Sequence, residues 1–325
     1  DVRGINEFIT VQGKQFTINA KYFRLIAPFN GNIEIHDCII KTRKKVNINN
    51  KAKLMIDSNE AIRHQFDLCS NYVFNFCAAE HLVNDLYYNK SIDDRKLVNL
   101  YQYLSKLKNH DIIFTFSEKT NRITTIVNCC PKILRPLFTT PKAGTFTELD
   151  FVTFNVQVLV KLIDDNITIS NISEKLIKEL DLITAQAQQD FYQHIVRTFK
   201  DNGVEISRDT AKDIVLWHWI NARNDNRSIE YHIMSLLYPE ITKILVTLKG
   251  ETYESYKKYS CSFMLVESQL TQEIYSEFHR EYPEVYIYNV YDSFMAEKPY
   301  VLNLEKIMKD VSTKHFNREV RIKEK

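Results

Sequence analysis

Two aspartates interrupt apolar, strand-like segments that lie far apart in the sequence. Asp292 falls within residues 285–297, and Asp150 lies inside residues 146–155. Aromatic and β-branched residues surround both, a composition typical of strands packed on a sheet. A carboxylate in such a place must be paired, solvated or bound to a metal ion, because burying it bare is costly. For Asp292 alone, a turn residue that hydrogen-bonds its own backbone is an equally good interpretation.

A basic helix is predicted between these two acids. Ser207 is a good N-cap for a helix that begins at Arg208, and Asp209 in its first turn suits the helix dipole. Arg208 and Lys212 stand four positions apart, so their side chains project from one face. Taken alone, the pattern favours an amphipathic surface helix with ordinary solvated bases. Two acids and this helix in one chain favour a functional site.

Composition bounds the class of protein. The chain has 325 residues, 44% of them hydrophobic and 26% charged, which is typical of a soluble globular protein with one large or two ordinary domains. The net charge of +2 requires any nucleic-acid binding to come from a local patch. Only six glycines are present, which argues against a glycine-rich phosphate loop. The six cysteines lack zinc spacing and no apolar run reaches membrane length, so we expect reduced thiols, no membrane partner and a cytoplasmic location.

Hydrophobic periodicity predicts an α+β protein with a boundary near residue 110. We expect residues 1–110 to form a mixed α/β domain that binds template or a partner, and residues 111–325 to form the main domain. Within the main domain, helices are predicted over 263–280 and 301–316, with a tight hairpin around Asp292 between them.

Three short motifs, in order, resemble the family that unites family A DNA polymerases with the single-subunit phage and mitochondrial RNA polymerases. Residues 148–151 (Glu-Leu-Asp-Phe) are similar to the first palm motif, in which a strand delivers a metal-binding Asp. Residues 208–221 have the spacing of the fingers helix, Arg-x3-Lys-x7-Tyr-Gly. Residues 291–294 (Tyr-Asp-Ser-Phe) resemble His-Asp-Ser-Phe of the RNA polymerases and His-Asp-Glu of the DNA polymerases. The resemblance covers roughly 115–325.

The resemblance implies a right-hand palm, built on an antiparallel sheet, with helical fingers. It implies nucleotidyl transfer by a two-metal-ion mechanism, with Asp150 and Asp292 holding two Mg²⁺ ions (Mn²⁺ being the alternative) and the Phe151 carbonyl as a further ligand. Lys212 would then contact the triphosphate of the incoming nucleotide, and Arg208 would bind its far oxygens. We expect a nucleic-acid template and primer as partners, further subunits or domains as additional ones, and a phage or mobile genetic element in a bacterial host as the source.

Several positions depart from the family pattern. Ile220-Asn221 replaces the Tyr-Gly of the fingers, and Tyr291 replaces the His before the catalytic Asp. Asn155 stands where DNA polymerases commonly place a Glu that excludes the ribose 2′-hydroxyl, and Leu216 stands where they place an aromatic residue. These nucleotide-binding positions favour RNA synthesis slightly and leave sugar choice open. Candidate contacts to the template or primer backbone are Arg122, in a Gly-Arg-Val-Tyr-like stretch, and the two bases Lys132 and Arg135.

Two other classes of function remain open. A catalytically inactive palm-like module would bind nucleic acid or a protein without chemistry, which the lost Tyr-Gly and His would explain. A two-metal nuclease would use the same pair of acids, because such sites serve hydrolysis equally well. The Arg-x3-Lys helix favours a polymerase over both.

Overall fold

The computed structural model describes residues 7–11, 14–18, 45–142, 144–167, 173–225 and 228–325. The chain separates into two compact units, Asp1–Thr42 and Arg43–Lys325. In the first unit, β1 (Glu7–Val11) and β2 (Lys14–Ile18) form an antiparallel hairpin. Across the described part of the chain, no helix combines the length and the apolar character that crossing a bilayer requires.

The second unit mixes helices with short strands, which confirms the α+β class. Its strands are β3 (Val46–Ile48), β4 (Val73–Phe74), β5 (Ile112–Phe116), β6 (Ile123–Thr125), β7 (Phe138–Thr139), β8 (Phe146–Phe151), β9 (Ile287–Val290), β10 (Ser293–Glu297) and β11 (Ile322–Glu324). Its α-helices are α1 (Asn50–Ser58), α2 (Glu60–Ser70), α3 (Phe76–Tyr88), α4 (Asp94–Lys108), α5 (Phe154–Asn166), α6 (Glu174–Gln189), α7 (Phe191–Asp201), α8 (Arg208–Asp213), α9 (Ile229–Leu237), α10 (Pro239–Lys249), α11 (Tyr253–Glu281) and α12 (Val301–Phe316).

A four-stranded antiparallel sheet of order β11-β8-β10-β9 holds both aspartates. Strands β9 and β10 are joined by the two-residue turn Tyr291-Asp292, where Tyr291 has a φ of 57°. A left-handed residue is what a tight hairpin turn needs, because it matches the twist of the flanking strands. The predicted hairpin is therefore confirmed, and Asp292 lies at its tip.

The two faces of this sheet pack into two hydrophobic cores. One face sends Leu149, Phe151 and Phe294 into a core shared with α5 to α12. The opposite face sends Tyr288 and Met295 into a core built from α1 to α4 and the strands β5 to β7. Side chains from before and after residue 110 share this second core, so packing is continuous across the boundary expected there.

The basic helix begins as predicted but changes its geometry. The Ser207 side chain caps α8 by accepting from the Thr210 amide at 3.0 Å. From Ile214 to Ile220 the chain continues as a π-helix, and the carbonyls of its last residues have no partner within the helix. Lys249 Nζ donates to the Trp219 carbonyl at 2.7 Å, and Tyr259 donates to the Ile220 carbonyl at 3.2 Å. These tertiary partners stabilise a geometry that local sequence does not favour.

The predicted helices near the second aspartate are present. The helix expected over 301–316 has those bounds, whereas the one expected over 263–280 extends further, from Tyr253 to Glu281. Thr252 caps this long helix by accepting from the Ser255 amide.

Candidate active site

A cleft of about 50 Å³, here called the acid–base cleft, brings together residues from five segments of the chain. Its lining residues are Asp150, Phe151, Thr153, Phe154, Asn155, Tyr192, Arg208, Lys212, Asp292 and Lys323. Both aspartates and both bases of the predicted helix are among them, as are the predicted Phe151 and Asn155. The fold thus places in one cleft residues that are more than 140 positions apart in the sequence.

Strand register sets the two aspartates beside each other. Asp150 on β8 pairs with Ser293 on β10, and Asp292 precedes Ser293 in the turn. Burial raises the pKa of the Asp150 carboxyl above its usual range, and the negative charge of Asp292 raises it further. Asp150 Oδ1 is buried and accepts no hydrogen bond from the described residues. An acid pair that is close, partly desolvated and incompletely bonded is suited to binding a cation.

A sharp turn carries the chain from Asp150 to Asn155. Thr153, the residue before α5, has a φ of 53°, and its hydroxyl donates to the Ala187 carbonyl at 2.8 Å. Phe151 also lines the cleft, while its ring packs in the core 5.2 Å from that of Phe154. This tethered turn places Asn155 in the first turn of α5, facing the cleft.

Arg208 is held in place on the other side of the cleft. Its Nε donates to Asp190 Oδ2 at 2.9 Å, and its guanidinium lies 5.3 Å from the centre of the Tyr192 ring. Burial would raise the pKa of Asp190, but hydrogen bonds from Arg208 and the Gln193 amide, together with the positive charge of Arg208, lower that pKa below its usual range. Lys212, one turn further along α8, is exposed. The helix therefore offers one anchored cation and one free to reach a ligand.

Glu148, two residues before Asp150 in β8, interacts with three donor side chains. Glu148 Oε1 accepts from Ser293 Oγ and from Lys325 Nζ, each at 2.7 Å, and Arg135 Nη1 lies 3.5 Å away. Burial would raise the pKa of Glu148, but the hydrogen bonds from Lys325 and Ser293 lower it below its usual range. Arg135, predicted to contact nucleic acid, is therefore held in this network, and it also donates from Nε to the Cys130 carbonyl at 3.1 Å.

Tyr291 and Arg122 lie at a different cavity, here called the Arg122 cavity, of about 30 Å³. The Arg122 guanidinium forms an ion pair with Glu267 of α11 and lies 5.0 Å from the centre of the Tyr291 ring. Burial raises the pKa of Glu267, and Arg122 opposes that rise. The structure thus separates Tyr291 from Asp292: the two neighbours line different cavities.

Three other predicted positions are not brought to the acid–base cleft among the described residues. Ile220 is fully buried in the first core, and Leu216 packs partly buried against that core. Lys132 is exposed on the 3-10 turn Lys132–Leu137. Both apolar side chains belong to the core that α8 and the π-helix pack against, so neither is available to the cleft.

Sequence reasoning missed four contributors to this region: Glu148, Tyr192, Lys323 and Lys325. Only Glu148 had a readable signal: it is two positions before Asp150 in a strand, so it shares a face with it. Lys323 lies in β11 and Lys325 one residue beyond it, but nothing in the sequence shows that β11 pairs with β8. Tyr192 reaches the cleft only because α7 packs there.

The cleft's donor set fits a divalent cation. The carboxylates of Asp150 and Asp292 are the oxygen ligands that Mg²⁺ prefers, and Asp150 Oδ1 is a buried oxygen without a hydrogen bond. Within the residues that the structure describes, no group of three or more His, Cys, Asp or Glu is arranged to hold a metal. Two carboxylates agree with the Mg²⁺ habit of keeping water and phosphate ligands rather than an all-protein cage.

Comparison with protein-family models gives no match, and comparison with curated proteins gives none either. Among solved structures, one similar to this chain is the POL domain of Pol1 from M. smegmatis in complex with DNA primer-template and dNTP. The similarity has a TM-score of 0.38 at 9% identity, and covers 71% of this chain and 50% of that one. This chain therefore spans about half the length of that domain. Similarity at this level does not establish a shared fold.

Proposed function

We propose that this protein is a template-directed nucleic acid polymerase. One observation carries the proposal: Asp150, Asp292, Arg208 and Lys212 line a single cleft, and the two bases come from one helix. This arrangement sets sites for a cation and for a polyphosphate side by side. In this assignment the antiparallel sheet is the palm, and the helices around α8 are the fingers.

The acids supply the cation site. Asp150 and Asp292 would hold Mg²⁺, or Mn²⁺, with the Phe151 carbonyl as a candidate further ligand. Bound there, the metal would stabilise negative charge on the attacking 3′ oxygen and on the leaving pyrophosphate. The protein's own contribution is to fix the two carboxylates through the β8–β10 register and the hairpin turn.

The bases supply the triphosphate site. Lys212, which is exposed, would contact phosphate oxygens and is suited to donating a proton to the pyrophosphate. Arg208 would bind the far oxygens through its paired N–H groups. Because Arg208 already pairs with Asp190, a phosphate group must either displace the Asp190 carboxylate or bind the guanidinium together with it. The Tyr192 ring, 5.3 Å from the guanidinium, would keep Arg208 at the cleft during this exchange.

Sugar choice would be made where Asn155 and Tyr192 meet. Asn155 lies beside the Tyr192 hydroxyl, and both line the cleft. A short amide leaves more room than the Glu common in DNA polymerases, so we favour acceptance of ribonucleotides. Lys132 is the exposed candidate for contact with the nucleic-acid backbone, whereas Arg122 and Arg135 are engaged within the protein.

Primer extension tests this proposal. Purified protein with Mg²⁺ and a primed or bare template should incorporate labelled NTPs or dNTPs, on DNA or on RNA, and the comparison of the four combinations gives sugar and template choice. The Asp292→Asn protein should be inactive, and Asp209→Asn, which changes an exposed acid one residue after Arg208, should be active. Full extension by Asp292→Asn would remove the proposal.

Two other functions would show themselves in the same assay. A nuclease would shorten the labelled strand without nucleotides in a Mg²⁺-dependent reaction that Asp150→Asn abolishes. A non-catalytic binding module would bind the template equally well with or without either Asp change and would extend nothing. The second is favoured by one observation, the Lys325 ammonium 3.3 Å from Asp150 Oδ1, which is a cation already beside the acid pair.

A further inference from the structure

The ammonium of Lys325 lies between two carboxylates at the edge of the acid–base cleft. Its Nζ is 2.7 Å from Glu148 Oε1 and 3.3 Å from Asp150 Oδ1. The oxygen that it approaches on Asp150 is the buried one that accepts no hydrogen bond from the described residues. A positive charge from the chain itself therefore stands where the acid pair would attract a metal ion.

The fold holds Lys325 in this position. Strand β11 pairs with β8 so that Lys323 faces Asp150, and the Lys325 amide then donates to the Glu148 carbonyl at 3.0 Å. Glu148 is itself fixed by Ser293 and Arg135. The Lys325 side chain is only 23% exposed, so it is not a freely rotating surface lysine.

The charge balance of the cluster depends on this lysine. Lys325 Nζ donates to Glu148 Oε1 and lies within ion-pair range of Asp150 Oδ1, so one ammonium faces two carboxylates. The ammonium thus offsets repulsion between acids that are partly desolvated. A divalent cation at Asp150 would also offset this repulsion. Two cations a few ångströms apart repel each other strongly where they are partly shielded from water.

We propose that Lys325 is a resident counter-ion of the acid pair, which competes with the divalent cation for Asp150 and so lowers the metal affinity of the cleft. The inference rests on the proposed function for the existence of the metal site, but not for polymerisation. Strand β11 is at the edge of the sheet and pairs only with β8 among the described strands, so the ammonium can withdraw towards Glu148 without breaking the β8–β10 register. Metal binding and the position of Lys325 are then coupled.

Mn²⁺ binding without nucleotide or nucleic acid tests this coupling, with free Mn²⁺ followed by electron paramagnetic resonance. Lys325→Met should bind Mn²⁺ about fivefold to tenfold more tightly than the unaltered protein, because the competing charge is gone while the carboxylates remain. Lys325→Arg, which keeps the charge, and Lys314→Met, which removes a charge from an exposed ion pair on α12, should each stay within about twofold.

A second measurement guards against a folding defect. In thermal unfolding, Mn²⁺ should raise the Tm of Lys325→Gln by more than it raises the Tm of the unaltered protein, because a ligand stabilises the folded state in proportion to its affinity. Equal or weaker Mn²⁺ binding by Lys325→Met, with an equal Tm response in Lys325→Gln, overturns the inference and leaves the metal site standing. Binding that is absent from every variant, or that survives in the Asp150→Asn, Asp292→Asn double variant, overturns the metal site itself.

Discussion

The two residues of one hairpin turn line two cavities of opposite character. Tyr291 lines the Arg122 cavity, and Asp292 lines the acid–base cleft. In the first, the charges are already matched: Arg122 pairs with Glu267 and lies over the Tyr291 ring. In the second, pairing is incomplete. Arg208 pairs with Asp190 and the Lys325 ammonium lies 3.3 Å from Asp150 Oδ1, but Lys212 forms no ion pair with any residue that the structure describes.

This difference between the two cavities distinguishes charges that stabilise the fold from charges that are available to bind a ligand. A buried ion pair leaves little for a partner to compensate, and its loss is a loss of stability. Charges that line an open cleft, such as the exposed Lys212 and the partly paired Arg208, contribute less to the fold and are available to a ligand. Changes in the Arg122 cavity should therefore alter stability, whereas changes in the acid–base cleft should alter activity.

Asp292→Asn and Asp150→Asn should have the largest effect, and it should fall on activity alone. Each removes one of the two carboxylates from the cleft, so nucleotide incorporation should fall about 1000-fold or more, equivalent to about 4 kcal/mol. Stability should hold or rise slightly for Asp150→Asn, because its raised pKa shows that the charged form is disfavoured in the fold. Primer extension and urea unfolding of the same preparations give both values. Strong destabilisation by either change would break the contrast between the cavities.

Arg122→Ala should have the opposite pattern, with its main effect on stability and not on activity. It leaves Glu267, a side chain only 10% exposed, without its counter-charge, and should lower the free energy of unfolding by roughly 3 kcal/mol. Urea denaturation measures this, with Arg197→Ala, an exposed arginine on α7, as the matched control. Glu267→Gln should recover part of the loss when combined with Arg122→Ala, because the stranded charge is then gone. A cost below about 1 kcal/mol, as for a surface pair, would show that this ion pair is not structural.

Lys249 extends the comparison to a buried lysine whose hydrogen-bond partner is a backbone carbonyl and not a carboxylate. It is fully buried, donates to the Trp219 carbonyl, and burial lowers its pKa to about 7 from an ordinary 10.5. Between pH 7 and pH 10.5 Lys249 binds its proton more tightly in the unfolded chain than in the folded one, so protonation favours unfolding. This destabilisation is complete below pH 7 and decreases as the pH rises. Stability should therefore increase by about 2 kcal/mol from pH 7 to pH 9.

Urea midpoints at the two pH values measure this increase. Lys249→Met should remove most of the increase, whereas Lys243→Met, an exposed lysine on the same helix, should retain it. The same pH dependence in the Lys249→Met protein would assign it to another group.

Arg208→Ala should have the smallest effect on stability and a moderate one on binding. Its pair with Asp190 is about a third exposed on each side, so the free energy of unfolding should change by less than about 1 kcal/mol. The KM for the nucleotide should rise about tenfold, equivalent to 1.4 kcal/mol, because a charge-assisted contact to the triphosphate is lost. Steady-state extension kinetics measure the KM, again with Arg197→Ala as control. An unchanged KM would leave Arg208 a purely structural residue.

Much of the local structure could be predicted from the sequence because its signals are local. Ser207 marks the start of α8, alternation marks β8, and the apolar period marks α12 over its full length. The π-helix has no local signal in the sequence, and the carbonyls of its last two residues accept from Lys249 of α10 and Tyr259 of α11, which are distant in the chain. Leu216 and Ile220, placed by the spacing of the family motif, lie outside the cleft lining in the described chain.

The sequence by itself determined the candidate chemistry: two acids in strand-like runs and an Arg-x3-Lys helix between them. These are properties of residue type and short spacing, which the chain carries before it folds. Only the tertiary structure decided that Asp150 and Asp292 are neighbours, that Tyr291 turns to Arg122, and that Lys325 stands beside Asp150. Each depends on strand pairing or helix packing between distant segments. Strand register is set by how the whole core packs, so it cannot be predicted from any single stretch of residues.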